Sequence, residues 1–135
     1  MINRYLKKQF GVELDYRFKI TGKGRVWIMN EDVYDYEISA PVVSKGLYFG
    51  FLEKDGLRLS MDGSQIVGPK AKKNVVEVNE KEVKEWLRGF SLEKPCQKGY
   101  ILLKHGRDFI GCGKSNGKII WNTVPKERRI RNLKI

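Results

Sequence analysis

The chain is short of several things that chemistry needs. It has one histidine and two cysteines, and no run of about eighteen apolar residues. The missing apolar run leaves nothing expected to cross a membrane. The segment Met1 to Phe10 has basic residues with no apolar stretch behind them, so no secretory leader is expected and the cytoplasm is the expected compartment. Cys96 and Cys112 fit neither a metal-ligand spacing nor a disulfide framework, and read as a loop thiol and a small strand residue. His105 stands beside Gly106 with no partner at nucleophile spacing, so it reads as an exposed turn residue.

Two other stretches invite a chemical reading and fall short of it. Glu31, Asp32, Asp35 and Glu37 could hold a hard cation or supply paired carboxylates. They lack the Gly a calcium loop needs for its turn, and their alternation with Val33, Tyr34 and Tyr36 suits an exposed strand or loop. Gly111 to Gly117 resembles a phosphate loop, but its glycine spacing matches neither nucleotide pattern and no helix follows it. It reads as a strand with glycines where two backbones approach. No cofactor, no metal and no catalytic residue is expected.

Positive charge, by contrast, is abundant and lopsided. Lys94 to Ile135 holds eleven Lys and Arg against Asp108 and Glu127, while the rest of the chain nearly balances. Folding gives no reason to crowd like charges, so the asymmetry is a statement about partners. Lipid is disfavoured because this third reads as strand and loop, without the amphipathic helix that lies on a membrane. Nucleic acid is the default partner of a compact basic domain.

Those charges belong to a folded frame, and fifteen aromatics spread along the chain argue against disorder. Ile2, Tyr5, Leu6 and Phe10 have helical spacing, closed by Gly11. Tyr16 to Ile20 and Val26 to Met29 form a hairpin around Gly22 to Gly24. Gly46 to Leu52 meets Leu57 to Leu59 across a primed turn at Asp55-Gly56. Ser60 to Val67 is a capped helix, ended by Gly68-Pro69. A basic link at Lys70, Lys72 and Lys73 leads into the strand Val75 to Val78. Asn79 and Glu82 have capping-box spacing for a helix that stops at Gly89. Gly-separated strands follow at Tyr100 to Leu103, Phe109-Ile110 and Lys118 to Trp121.

The fold class is therefore α+β: an amino-terminal helix with an antiparallel meander, then a small mixed β-barrel with a crossing helix. Lys98, Lys104, Arg107, Lys114 and Lys118 border strands, and Lys126, Arg128, Arg129 and Arg131 cluster at the end. Such heads bind phosphates by charge, Arg also by its fork. Trp86, Tyr100 and Trp121 can either stack bases or pack a core.

Taken together, Val75 to Gly89, Gly99 to Leu103, Ile110 to Lys114 and Asn122 to Arg129 resemble a PUA domain. The likeness is to the RNA-binding region of RsmF-type ribosomal RNA cytosine-5 methyltransferases of the NOL/NOP/Sun group, which have a Gly-x-Gly-Lys strand end and an Asn-x-x-Pro-Lys-x-x-Arg ending. The amino half is similar to a pre-PUA unit, a plan shared with the Nip-family ribosome-biogenesis factors. The resemblance implies a pre-PUA-like domain over 1–70 and a PUA-like RNA-binding domain over 71–135. It also implies a binding face that takes in Lys70 to Lys73, the Asn79 helix and the final strand with Asn122. Pro95-Cys96 is only superficially like a catalytic pair, so the expected protein binds structured rRNA or tRNA and carries out no catalysis. Its expected setting is ribosome biogenesis or RNA modification, beside a modification enzyme or a pre-ribosomal particle. The rival reading is an adaptor that docks on an acidic partner, such as a separate methyltransferase; a hydrolase using His105 or the Asp32 cluster ranks last.

Overall fold

A computed structural model describes residues 1–29 and 46–129. It opens with helix α1 (Ile2–Phe10), which buries Ile2, Leu6 and Phe10. Gly11 ends it with φ 70°, a left-handed conformation that glycine enters without steric cost. Strands β1 (Phe18–Thr21), β2 (Arg25–Ile28), β3 (Leu47–Glu53) and β4 (Gly56–Leu59) follow as an antiparallel meander in chain order. The β3–β4 turn differs from expectation. Lys54 and Asp55 are its central pair and neither has positive φ, so the turn is not a primed one; Gly56, at φ 155°, begins β4. Its glycine is required by a neighbour, because a Cβ there would lie 2.6 Å from the Tyr100 ring.

Helix α2 (Met61–Val67) is capped by Ser60, whose Oγ accepts the Gly63 N–H. A 3-10 turn over Gly68–Lys70 leads to β5 (Val75–Glu77). Helix α3 (Glu80–Leu87) carries the expected capping box, with Asn79 and Glu82 each serving the other's backbone N–H. Then come β6 (Leu92–Glu93), β7 (Gly99–His105), β8 (Asp108–Ser115) and β9 (Ile119–Trp121). The second sheet runs β5-β7-β8-β9-β6, with β5 parallel to β7 and the other pairings antiparallel, which makes it mixed. The two-residue β6 has too little pattern to be read from sequence.

The second sheet has two covered faces. One turns Ile101, Leu103 and Ile120 toward Trp86 of α3, and that indole is fully buried. The other turns Tyr100, Leu102 and Cys112 into the core that holds α1, Phe49, Leu57 and Val67. The first sheet and helix thus bury their apolar surface against the second sheet. Hydrogen bonds reinforce the join: Gln9 bonds both the N–H and the carbonyl of Leu57, and Asn74 Nδ2 donates to the Gln9 carbonyl.

Candidate nucleic-acid interface

The close approach expected at Gly111 and Gly113 is real, but its cause is a side chain. A Cβ on Gly111 would lie 2.8 Å from Trp86 Nε1, and one on Gly113 would lie 2.9 Å from the far edge of the same ring. Gly111 makes room for the indole, and Gly113 for the indole and, closer still, for Cγ2 of Ile120, so this strand accommodates packed side chains and cradles no phosphate. Tyr100 and Trp86 are core residues; of the aromatics considered as stacking surfaces, only Trp121 is exposed, at 50%. His105 also differs from expectation. It is the last residue of β7, half-buried, with Nδ1 2.8 Å from the Val78 carbonyl oxygen, which fastens the turn into α3.

The candidate cations fall into two groups. Around Phe109, a groove of about 430 Å³ is lined by Pro69, Ala71, Lys104 and Arg107. It continues past Pro69, Arg107 and Phe109 toward Gln65 and Leu87. Lys104 Nζ lies 5.8 Å from the Phe109 ring centroid, and Arg107 is exposed in the β7–β8 turn. Lys70, Lys72 and Lys73 are exposed on the link that borders this groove. Among the described residues, none of these five forms an ion pair, and neither do Lys98, Lys118 and Lys126.

The second group lies along the seam between the two sheets. Lys114 Nζ is 2.5 Å from Asp55 Oδ2 and 5.5 Å from the Tyr100 ring centroid. The Tyr100 hydroxyl donates to both Glu53 and Asp55. Hydrogen bonds from Lys114 and then Tyr100 hold the Asp55 carboxyl below its usual range. Burial, followed by the two carboxylates, pushes the Tyr100 phenol up. Arg128 Nη1 reaches Asp62 Oδ2 at 3.6 Å. Arg129 donates from Nε to the Val124 carbonyl and lies across Gly89, where a Cβ would come within 2.6 Å of it. Asn122 donates to the carbonyls of Trp86 and Phe90 and accepts the Val124 N–H, joining the end of α3 to the last segment. These acidic partners carry no local signal, because Asp55 and Asp62 lie far from their cations along the chain.

Arg131 and the acidic residues Glu31, Asp32, Asp35 and Glu37 lie outside the described residues. No helix of the described residues is long and apolar enough to cross a membrane. Among the same residues, no group of three His, Cys, Asp or Glu is placed to hold a metal. Cys96 Sγ lies 3.2 Å from Ser115 Oγ, and burial pushes the Cys112 thiol up to about 12.

A helix laid in a mixed sheet, with a Gly-x-Gly strand beneath its tryptophan and a Pro-Lys-x-Arg ending, is the plan expected of a PUA-like unit. Residues 73–130 match the family model described as the methyltransferase RsmF PUA domain. The whole chain is similar to ribosomal RNA small subunit methyltransferase F of Vibrio cholerae serotype O1, in strains M66-2 and ATCC 39315 / El Tor Inaba N16961. Each likeness is 25% identical over 142 residues and covers 98% of this chain but 29% of the relative. The protein thus resembles the PUA-bearing part of RsmF, as the sequence motifs indicate.

Proposed function

We propose that this protein binds structured RNA, ribosomal or transfer RNA, through the cations of its second sheet and the link before it. It acts in ribosome biogenesis or RNA modification and itself transfers no methyl group. The observation that carries this reading is that the segment matched to the PUA domain of an rRNA-modifying enzyme also holds most of the chain's excess positive charge. We divide the chain into a pre-PUA-like unit over 1–70 and an RNA-binding unit over 71–135. Lys70, Lys72, Lys73, Lys98, Lys104, Arg107 and Lys126 are assigned to phosphate contact, since among the described residues no carboxylate pairs with them. Lys114, Asn122, Arg128 and Arg129 shape the surface and touch RNA at its edge, with Arg131 continuing the basic ending.

Two features support a non-catalytic reading. The Cys112 thiol is buried and held protonated, which removes it as a nucleophile at neutral pH. The two small sheets also differ from the doubly wound sheet that a dinucleotide or methyl donor fills.

Filter binding of total rRNA and total tRNA across a salt series tests the proposal, with polyglutamate as competitor. Affinity should fall steeply with salt, by about one power of salt concentration per phosphate contact. Polyglutamate should displace the RNA only weakly. Absence of RNA binding at low salt, or equal affinity for polyglutamate, would replace RNA with an acidic protein as partner.

A further inference from the structure

A second cavity opens at the seam, between Tyr48 and Arg58 of the first sheet and the segment from Thr123 to Arg128. Its volume is about 190 Å³. At ~30 Å³ for each water, that is room for several solvent molecules rather than one structural water. Trp86 and Gly111 both line it, and the indole nitrogen is the ring atom nearest Gly111. That nitrogen is the one buried side-chain polar atom without a hydrogen-bond partner among the described residues. A buried donor left unmade costs about 1–3 kcal/mol, so an acceptor brought to this wall would relieve it.

The cavity's chemistry defines what fits. Leu59, Met61 and Val124 give it apolar walls. Thr123 Oγ1 donates to the Cys112 carbonyl, which leaves its lone pairs as acceptors, and Glu127 also lines the cavity. Arg58 and Arg128 stand at the rim, paired at 3.8 Å with Glu53 and at 3.6 Å with Asp62, long exposed pairs that an incoming phosphate would compete with. A bare anion would meet Glu127 unfavourably. A flat heterocycle with both acceptors and donors would satisfy the indole and the oxygens together, and its attached phosphate would meet the arginines. We propose that this cavity receives one unpaired nucleotide of the bound RNA, its base against Trp86 Nε1 and its phosphate between Arg58 and Arg128. The inference rests on the RNA-binding reading and adds an element that phosphate charge lacks, a preference for RNA with an extruded or single-stranded base.

The test uses the full chain with a random-sequence single-stranded RNA hexanucleotide and a blunt RNA duplex of the same length. Three tryptophans give three indole N–H signals by NMR, assigned through single Trp→Phe variants. The hexanucleotide should shift the Trp86 signal and the duplex should leave it in place. Trp86→Phe, which keeps a ring and removes the N–H, should weaken hexanucleotide binding about tenfold and leave duplex binding unchanged. Arg58→Gln, a surface change that avoids the core, should weaken the hexanucleotide severalfold and serves if Trp86→Phe does not fold. Hexanucleotide binding with an unmoved Trp86 signal and no loss in Arg58→Gln would mean the cavity holds water alone, with the RNA-binding reading intact. Failure of both RNAs to bind would overturn the RNA-binding reading itself.

Discussion

The cations around Phe109 and those along the seam are the same residue types placed under opposite conditions. Near Phe109, Lys70, Lys73 and Arg107 face solvent with no carboxylate of the described residues at ion-pair distance. Along the seam, Asp55 holds Lys114 and Asp62 holds Arg128, while the Val124 carbonyl engages Arg129 beside the end of α3. A lysine already paired with a carboxylate neutralises less phosphate charge and so frees fewer of the counterions condensed on RNA, and it adds little to salt-dependent affinity. Its gain is orientation. Exposed ion pairs contribute about 0–1 kcal/mol, while the apolar seam of Leu57, Leu102 and Cys112 carries the larger stabilisation. A count of positive charge cannot separate these two uses, and the partner of each side chain can.

Reversing the unpaired group should give the largest effect. In the triple variant Lys70→Glu, Lys73→Glu and Arg107→Glu, affinity for rRNA should fall about a hundredfold or more at moderate salt. The slope of log K against log salt should lose about one unit per removed contact. The melting temperature should stay within about 2 °C, since surface changes away from packing are usually near neutral. The mirror experiment is Lys114→Glu, which sets a third carboxylate beside Glu53 and Asp55. It should cost about 1–2 kcal/mol of stability by calorimetry and lower RNA affinity only severalfold, with the salt slope nearly unchanged. Equal losses of affinity in the two variants would dissolve the distinction between the groups.

The sequence made one side of this comparison far more legible than the other. Local signals were reliable where a single residue type decides the outcome. Gly11 ended α1, Ser60 and Asn79 capped α2 and α3, and apolar runs set off by Gly marked β7 and part of β8. They failed where the deciding atom comes from elsewhere in the chain. Gly56 promised a primed turn, yet it is shaped by Tyr100. Gly111 and Gly113 suggested neighbouring backbones, yet Gly111 accommodates Trp86, and Gly113 accommodates Ile120 and Trp86 before any backbone. His105 looked like a free turn residue until β5 brought the Val78 carbonyl beside it. The cations of the site could be named from composition and motif, but their division into free and anchored depends on Asp55 and Asp62 crossing the seam. The cavity over Trp86 had no sequence signal at all, because its walls come from β4, α3, β8 and the last segment.

The smallest expected effect is on pH, and it belongs mainly to the seam. Asp55 has a folded pKa below its ordinary value of 3.8, through hydrogen bonds from Lys114 and Tyr100. A lowered carboxyl contributes stability that is present above the unfolded pKa and is lost as pH falls through the folded one. Glu82 acts in the same direction: burial raises it, but the Asn79 N–H and Lys94 together hold it below 4.5. Tyr100 works at the other end of the scale. Its folded pKa is raised by burial and by its two carboxylate acceptors, so that stabilisation declines as pH climbs past the unfolded value of 10.0. Melting temperatures of the chain should therefore drop below about pH 4.5 and again above about pH 10. Asp55→Asn should flatten part of the acid limb, and Tyr100→Phe should flatten the alkaline one. The seam pairs contribute little to phosphate contact, so RNA affinity per folded molecule should stay level in acid while the seam loosens. A seam whose stability ignored acid in the wild type would show that Lys114 and Asp55 are neighbours without being partners.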